Sequence, residues 1–314
     1  MASRATERRA IERHGKAGGA ARGGARWLGA AALLAASLVA AGCGAFRRSA
    51  HVGPLVELDT LLPSEGLHDA DVELDFYAGQ LDLRAAQGGP LVRVRSRDNL
   101  DEFAPRVELS RSGERANAHV WLHGDSRLKV DFDDEVVNEW QVELSDEVPM
   151  SLSLDVAMFD GTLDLGGLRL RRATLSMGLG DGKLLFSKPN LRTLEQLDVE
   201  LGAGSFRVLQ LGHARCANAR FELSSGSFEL DLGGDWKQPA LLRVDGGMCH
   251  VTVRVPADLP LRIDASETQL GDLEVAGMRE TEPRCWISDA WDSGRPQVVL
   301  ELNVNLGSVE VVRE

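Results

Sequence analysis

The stretch 154–165 reads LDVAMFDGTLDL, and three near-copies follow it: LSMGLGDGKLLF at 175–186, LDVELGAGSFRV at 197–208 and ARFELSSGSFEL at 219–230. Each is a run of alternating apolar residues, a small turn around Gly161, Gly182, Gly204 or Gly226, and a second alternating run. Alternation with period two writes a strand, because successive side chains leave opposite faces of the backbone. A unit that recurs about every 22 residues and holds two such runs is one coil of a stacked, all-β architecture, a β-solenoid.

Stacking the copies on their glycines tests the reading, since only inward columns must stay apolar. Two residues after the glycines stand Leu163, Leu184, Phe206 and Phe228; four after stand Leu165, Phe186, Val208 and Leu230. Three before stand Met158, Leu179, Leu201 and Leu223, and five before Val156, Met177, Val199 and Phe221. No charge enters these columns, so all four are expected in the core. The template continues around Gly79, Gly247, Gly271 and Gly307. Around Gly271 it is interrupted by Asp264, Ser266 and Thr268, and a one-residue slip that turns Leu261, Ile263 and Ala265 inward predicts a bulge there.

Between Gly79 and Gly161 the repeat is broken by alternating runs at 91–94, 107–109, 119–122, 128–132 and 140–144. They predict a cap of partly antiparallel strands, so that 70–150 forms the first coil plus an N-terminal β cap and 151–314 the solenoid. An open solenoid end exposes unpaired backbone and must be covered. The 36-residue spacing from Gly271 to Gly307 leaves an insert at 277–297 carrying Trp286 and Trp291. Those tryptophans are candidate partner-binding residues, or a lid over the last coil.

Upstream, residues 1–26 hold seven Lys or Arg against two Glu, and 27–42 is uncharged and apolar before Ala40-Ala41-Gly42-Cys43. A basic region, a short apolar core and small residues before a cysteine predict an export signal over 1–42. The ending resembles a bacterial lipobox, which makes Cys43 the lipidated first residue of the mature chain. The alternative is a single uncleaved transmembrane anchor over the 20 uncharged residues 27–46. Either way the rest of the chain faces the periplasm or the cell exterior. The polar segment 43–69, with Pro54 and Pro63, reads as a tether. Without residues 1–42 there remain 28 basic and 46 acidic residues, a net charge of −18. That balance argues against nucleic acid and anionic lipid as direct partners of the folded part.

Catalytic and metal constellations are not written in the chain. His119 and His123 alternate on one strand face beside Asp125, short of the three or four ligands a zinc site needs, so no metal and no cofactor are expected. Carboxylates such as Asp71, Asp75, Asp155, Asp160, Asp164 and Asp181 do not fall in one column when the copies are laid on their glycines, and the run 131–135 reads as a solvated turn. Three cysteines, Cys216, Cys249 and Cys285, leave at least one unpaired; Cys249 falls in a core column, and Cys216 and Cys285 stand about three coils apart, too far to bridge unless the inserted loop folds back.

The pattern Trp140-x-Val142-x-Leu144, then Val148-Pro149-x-x-Leu152-x-Leu154, then Gly161-Thr162-Leu163-Asp164-Leu165-Gly166-Gly167-Leu168, resembles the toast-rack domain across about 106–232. That domain occurs at the extracytoplasmic end of LiaF-type cell-wall stress regulators and in adhesin-like envelope proteins. The resemblance implies a structural β-solenoid and brings no catalytic residue with it. The single N-terminal segment departs from the several membrane helices of LiaF-type proteins. Together these readings predict a non-enzymatic, membrane-anchored binding or scaffolding module of the envelope, with a role in stress sensing as one form. Its partners are the membrane, through the lipid anchor, and an envelope protein or polysaccharide. The rival is a β-helix protein that binds or degrades polysaccharide.

Overall fold

The computed structural model describes residues 52–100, 103–122 and 136–314. The export signal, Cys43, His123, Asp125 and the runs 128–132 and 131–135 lie outside these residues. The coils are long strands: β2 (Asp69–Ala86), β7 (Met150–Asp164), β8 (Leu170–Leu185), β9 (Leu194–Leu209), β10 (Cys216–Asp231) and β11 (Ala240–Val255), each parallel to the next. Numbers in between belong to the cap. A straight strand of β7's 15 residues would run about 50 Å, yet only 165–169 separate its end from the start of β8 beside its own beginning. Five residues reach about 18 Å, so each strand has to double back. The crease lies mid-strand, where one residue per strand drops out of the pairing ladder; Gly180, Gly204 and Gly226, with positive φ, follow it in β8, β9 and β10, and Phe159 and Cys249 hold that place in β7 and β11. Side chains of both legs meet in one continuous apolar core.

The crease corrects the register of the first coils. Gly204 pairs with Gly180, Gly180 with Phe159, and Gly226 with Gly204, while Cys249 takes the place expected of Gly247. The slip is two residues, which preserves which side faces inward. Leu163, Leu184, Phe206 and Phe228 are therefore all buried, although Leu184 stacks on Val208 and Phe206 on Gly182. The ring of Phe159 lies where a side chain on Gly182 would stand, and it approaches Phe206 with a ring-centre distance of 6.5 Å. The aromatic volume is thus conserved across the slip. The expectation that Met158 and Leu179 belong to the core is overturned: both sit on the outside of the crease.

The predicted cap is present, and it splits in two. The first leg of β2 pairs with β5 (Arg115–Leu122), which carries β4 (Pro105–Ser112) antiparallel. The second leg pairs with β6 (Asn138–Ser145), followed by antiparallel β3 (Val92–Asp98) and β1 (Val56–Leu62). Part of the segment read as a tether is therefore an edge strand. Charge complementarity docks it: Asp59 pairs with Arg93, and Glu143 binds Arg84 at 2.6 Å and Arg95 at 3.3 Å on the neighbouring strands. The Arg84 hydrogen bond, and then the Arg95 charge, hold the Glu143 carboxyl below its ordinary range. A charged edge strand also discourages further pairing.

The far end departs from simple chain order. The last strand, β16 (Val298–Arg313), inserts between β11 and the pair β12 (Leu261–Asp264) and β13 (Leu270–Val275). Leu261, Ile263 and Ala265 are buried as the slip predicts. From Asp264 to Leu270 the chain takes six steps against five from Glu301 to Leu306, which is the bulge. The insert forms the hairpin β14 (Arg279–Glu282) and β15 (Cys285–Ile287), whose second strand pairs antiparallel with β12 and covers that edge.

Candidate functional site

The crease places two successive residues of each strand outside. The second of them, just before the crease glycine or its equivalent, is Met158, Leu179, Ala203, Ser225, Met248 and Leu306 along β7 to β11 and β16, each paired with the next. Met158, Leu179, Met248 and Leu306 are 43, 52, 63 and 48% exposed. An isolated exposed apolar residue needs no explanation, whereas exposed apolar residues paired on adjacent strands, Met158 with Leu179 and Met248 with Leu306, do. At β2 the row ends, because Ala78 is buried and the Asn138 amide of the cap donates to its carbonyl oxygen. The residue before it is small in most coils: Ala157, Gly178, Gly202, Ser224 and Gly247. These form a shallow trough beside the apolar row.

A second row runs parallel, four residues before the crease: Asp75, Asp155, Ser176, Glu200, Glu222, Asp245 and Asn303. The two-residue slip had scattered these acids: Asp75 and Asp155, expected in no common column, fall in one with Glu200, Glu222 and Asp245, while Asp71, Asp160, Asp164 and Asp181 stand outside it. Like charges stacked at strand spacing repel, and the row is compensated in part. Arg220 serves both Glu222 at 3.0 Å and Asp245 at 3.1 Å. Asp75 accepts from His119 at 2.9 Å if that nitrogen carries the proton. On the other flank, one residue past the crease, stand Asp160 and Asp181.

The metal question also changes with pairing. Glu73, Asp75 and His119 offer three ligand atoms within 4.8 Å of one another on β2 and β5, and Trp121 stacks on the His119 ring at 4.5 Å. Three ligands on an open face could hold a divalent cation together with water, one short of a closed structural site. Sequence reading missed the carboxylates because they lie 44 or more residues from His119 and meet it only across the sheet. Cys216, Cys249 and Cys285 are free, buried thiols; burial pushes the Cys216 thiol up to about 12. Trp286 packs against the core from β15, and Trp291 is half-buried in the turn that follows. Both belong to the covering hairpin and its return, away from the crease row in strand order.

The fold and surface define a class, an end-capped β-solenoid of creased strands that displays an apolar row beside an acidic one. Residues 52–195 match the N-terminal domain of toast_rack, DUF2154, and that span is a toast-rack domain. The match takes in β1, in keeping with its place in the sheet. Among solved structures, a candidate cell adhesion protein from Clostridium sporogenes is similar over 83% of this chain and all of its own, at 16% identity and a TM-score of 0.48. A candidate adhesin from Bacteroides fragilis covers 82% of this chain and 97% of its own at 9% identity and 0.37, and one from Parabacteroides merdae 83% and 97% at 11% and 0.25. No curated protein matches the sequence. Among the described residues no helix is long and apolar enough to cross a membrane.

Proposed function

We propose that this protein is a non-enzymatic binding or scaffolding module of the bacterial envelope, held at the membrane through lipidated Cys43 and facing the periplasm or the cell exterior. The observation that carries the reading is the crease row: four large apolar side chains left in water on a rigid, capped solenoid. A packed stack of strands presents such a row with little entropy left to lose on binding. The basic, apolar and small-residue run that ends at Cys43 supports the anchor, and the toast-rack domain supports a setting in envelope-stress sensing. The test is to crosslink the anchored protein to its neighbours in intact membranes, comparing wild type with Met248→Asp. A partner captured by wild type and lost in the variant supports the reading, and an unchanged set of neighbours refutes it. Metabolic labelling with palmitate that disappears in Cys43→Ala tests the anchor.

A second reading follows from the acidic row. Asp75 and Asp155 sit on adjacent coils, beside an open groove lined by Asp71, Glu73, His119, Ser153 and Arg172. Two carboxylates paired across neighbouring strands, about 4.8 Å apart at the backbone, suit the close pair a retaining glycosidase uses, and a polysaccharide would be the ligand. Release of reducing sugar from envelope polysaccharide, abolished by Asp155→Asn, would favour this reading over the scaffold.

A further inference from the structure

We propose that the crease across β7–β11 and β16 is the docking site of a cationic amphipathic α-helix from a partner protein, lying perpendicular to the strands. The inference rests on the binding-module reading and names the partner's chemistry. Six strands at about 4.8 Å spacing give a row about 24 Å long, which matches a helix of roughly 16 residues. The helix pitch of about 5.4 Å exceeds the strand spacing by only about 0.6 Å. The mismatch accumulates to about 3 Å over five steps, so a helix centred on the row keeps one apolar side chain per turn within about 1.5 Å of a strand. Met158 and Leu179 at one end and Met248 and Leu306 at the other supply apolar contacts, and methionine adapts to varied shapes. Between them Ala203 and Ser225 are short, and the trough of Ala157, Gly178, Gly202, Ser224 and Gly247 lets a helix backbone approach.

Charge selects the sign of the partner. Asp155, Glu200, Glu222 and Asp245 flank the row on one side, with Arg220 the cation paired into that flank; the other flank carries Asp160 and Asp181 in two coils and Ser205, Ser227, His250 and Ser308 in the rest. Lys and Arg on the edges of the helix would relieve this repulsion, whereas Glu and Asp would add to it. The same flanks argue against the other occupants of an apolar row. A second copy in a two-fold contact would set acidic row against acidic row, and an anionic lipid surface would be repelled.

The experiment titrates the full-length, detergent-solubilised protein into a fluorescent 18-residue peptide with leucine at helical period and lysine on both edges. A matched peptide has glutamate for lysine, and a scrambled one keeps composition without the stripe. The lysine peptide is expected to bind, the other two to bind at least tenfold more weakly. Met248→Asp and Leu179→Asp are expected to weaken binding about tenfold each, and Glu200→Lys with Glu222→Lys to weaken it by a similar factor and reduce its salt dependence. These side chains are exposed, and an unchanged melting temperature certifies the fold of each variant. Equal binding of the scrambled or glutamate peptide, or binding indifferent to Met248→Asp, overturns the proposal. So does self-association by sedimentation, or binding to phosphatidylglycerol vesicles, that Met248→Asp abolishes. If the peptide fails while Met248→Asp still removes a crosslinked neighbour, the helix is wrong and the module reading stands. If that neighbour is also retained, both fall.

Discussion

Replacing Gly204 by alanine tests the crease directly. Gly204 holds φ at 133°, a conformation L-residues rarely adopt, and an added Cβ would stand 1.8 Å from the carbonyl oxygen of Gly180 in the coil below. Two penalties therefore combine. The backbone strain alone is worth about 1–3 kcal/mol. The steric part cannot be relieved by rotating a side chain, because the obstacle is backbone within the ladder that joins β8 to β9. Gly89 separates the two: its φ is 98°, but nothing lies within 4 Å of its added Cβ. For a body of this size 1 kcal/mol corresponds to about 2–4 °C in Tm. Gly89→Ala is expected to lower Tm by roughly 2–12 °C from strain alone, and Gly204→Ala by several degrees more than Gly89→Ala because coil contact is lost as well. Differential scanning calorimetry of both variants reads the difference. Equal shifts would refute the claim that the coils touch backbone to backbone at the crease.

Three further outcomes follow from particular residues. The Cys216 thiol, buried and raised to about 12, stays protonated in the folded state while the unfolded chain ionises near 9, so stability should fall as pH rises from 9 toward 12. The slope approaches about 1.4 kcal/mol per pH unit, and Cys216→Ala should flatten urea midpoints over that window. Glu143 is depressed by Arg84 and Arg95, so its contribution is present above the unfolded carboxyl value and lost as pH falls through the lower folded one. Glu143→Gln should lower stability at pH 7 by no more than about 1 kcal/mol and make the acid limb of the urea-midpoint profile shallower than in wild type. Asp164 accepts hydrogen bonds from the Gly166 and Ser187 amides at 3.0 and 3.1 Å and from the Ser187 hydroxyl, stapling two successive loops. Asp164→Ala should cost about 1–3 kcal/mol, and hydrogen exchange should rise at Gly166 and Ser187 while the β9 core stays protected.

Much of this architecture is legible in the sequence because inward and outward positions obey a parity that survives small errors. Laying the copies on Gly182 instead of Gly180 moves the second coil by two residues and leaves Leu184 and Phe186 inside regardless. What such a slip destroys is everything that depends on absolute register. The stretch Gly178-Leu179-Gly180-Asp181-Gly182 contains three glycines, and alternation cannot say which of them takes the positive φ. That choice is made by steric fit against Phe159 and its carbonyl oxygen, a contact between coils. With the choice wrong, Met158 and Leu179 are assigned to the core and the acids at 155, 200, 222 and 245 fall out of line. The surface proposed as functional is therefore the part that the repeat pattern hides. A readable signal did exist, since the residue preceding a turn is ordinarily polar and here it is Met158, Leu179, Met248 and Leu306.

The placement of β16 shows a different kind of limit, one set by competition between strands. Sequential stacking would have β12 and β13 follow β11, and neighbours in sequence are usually neighbours in a sheet. Yet β12 and β13 are divided by the extra residue between Asp264 and Leu270, and an interruption inside a stack leaves ladder groups unpaired on both sides. At the end of the stack only one side suffers. β16 is unbroken over 16 residues and buries Val298, Leu300, Leu302, Val304, Val309 and Val311, so it gains more from two neighbours than the divided pair could. The broken strands take the edge, where Ser288 bonds the Leu261 amide and the Leu259 carbonyl and the β14–β15 hairpin covers β12. The insert at 277–297 is then the chain's route back to an inner slot and the cover for the coil displaced from it, and both tasks follow from one interruption at 264–270.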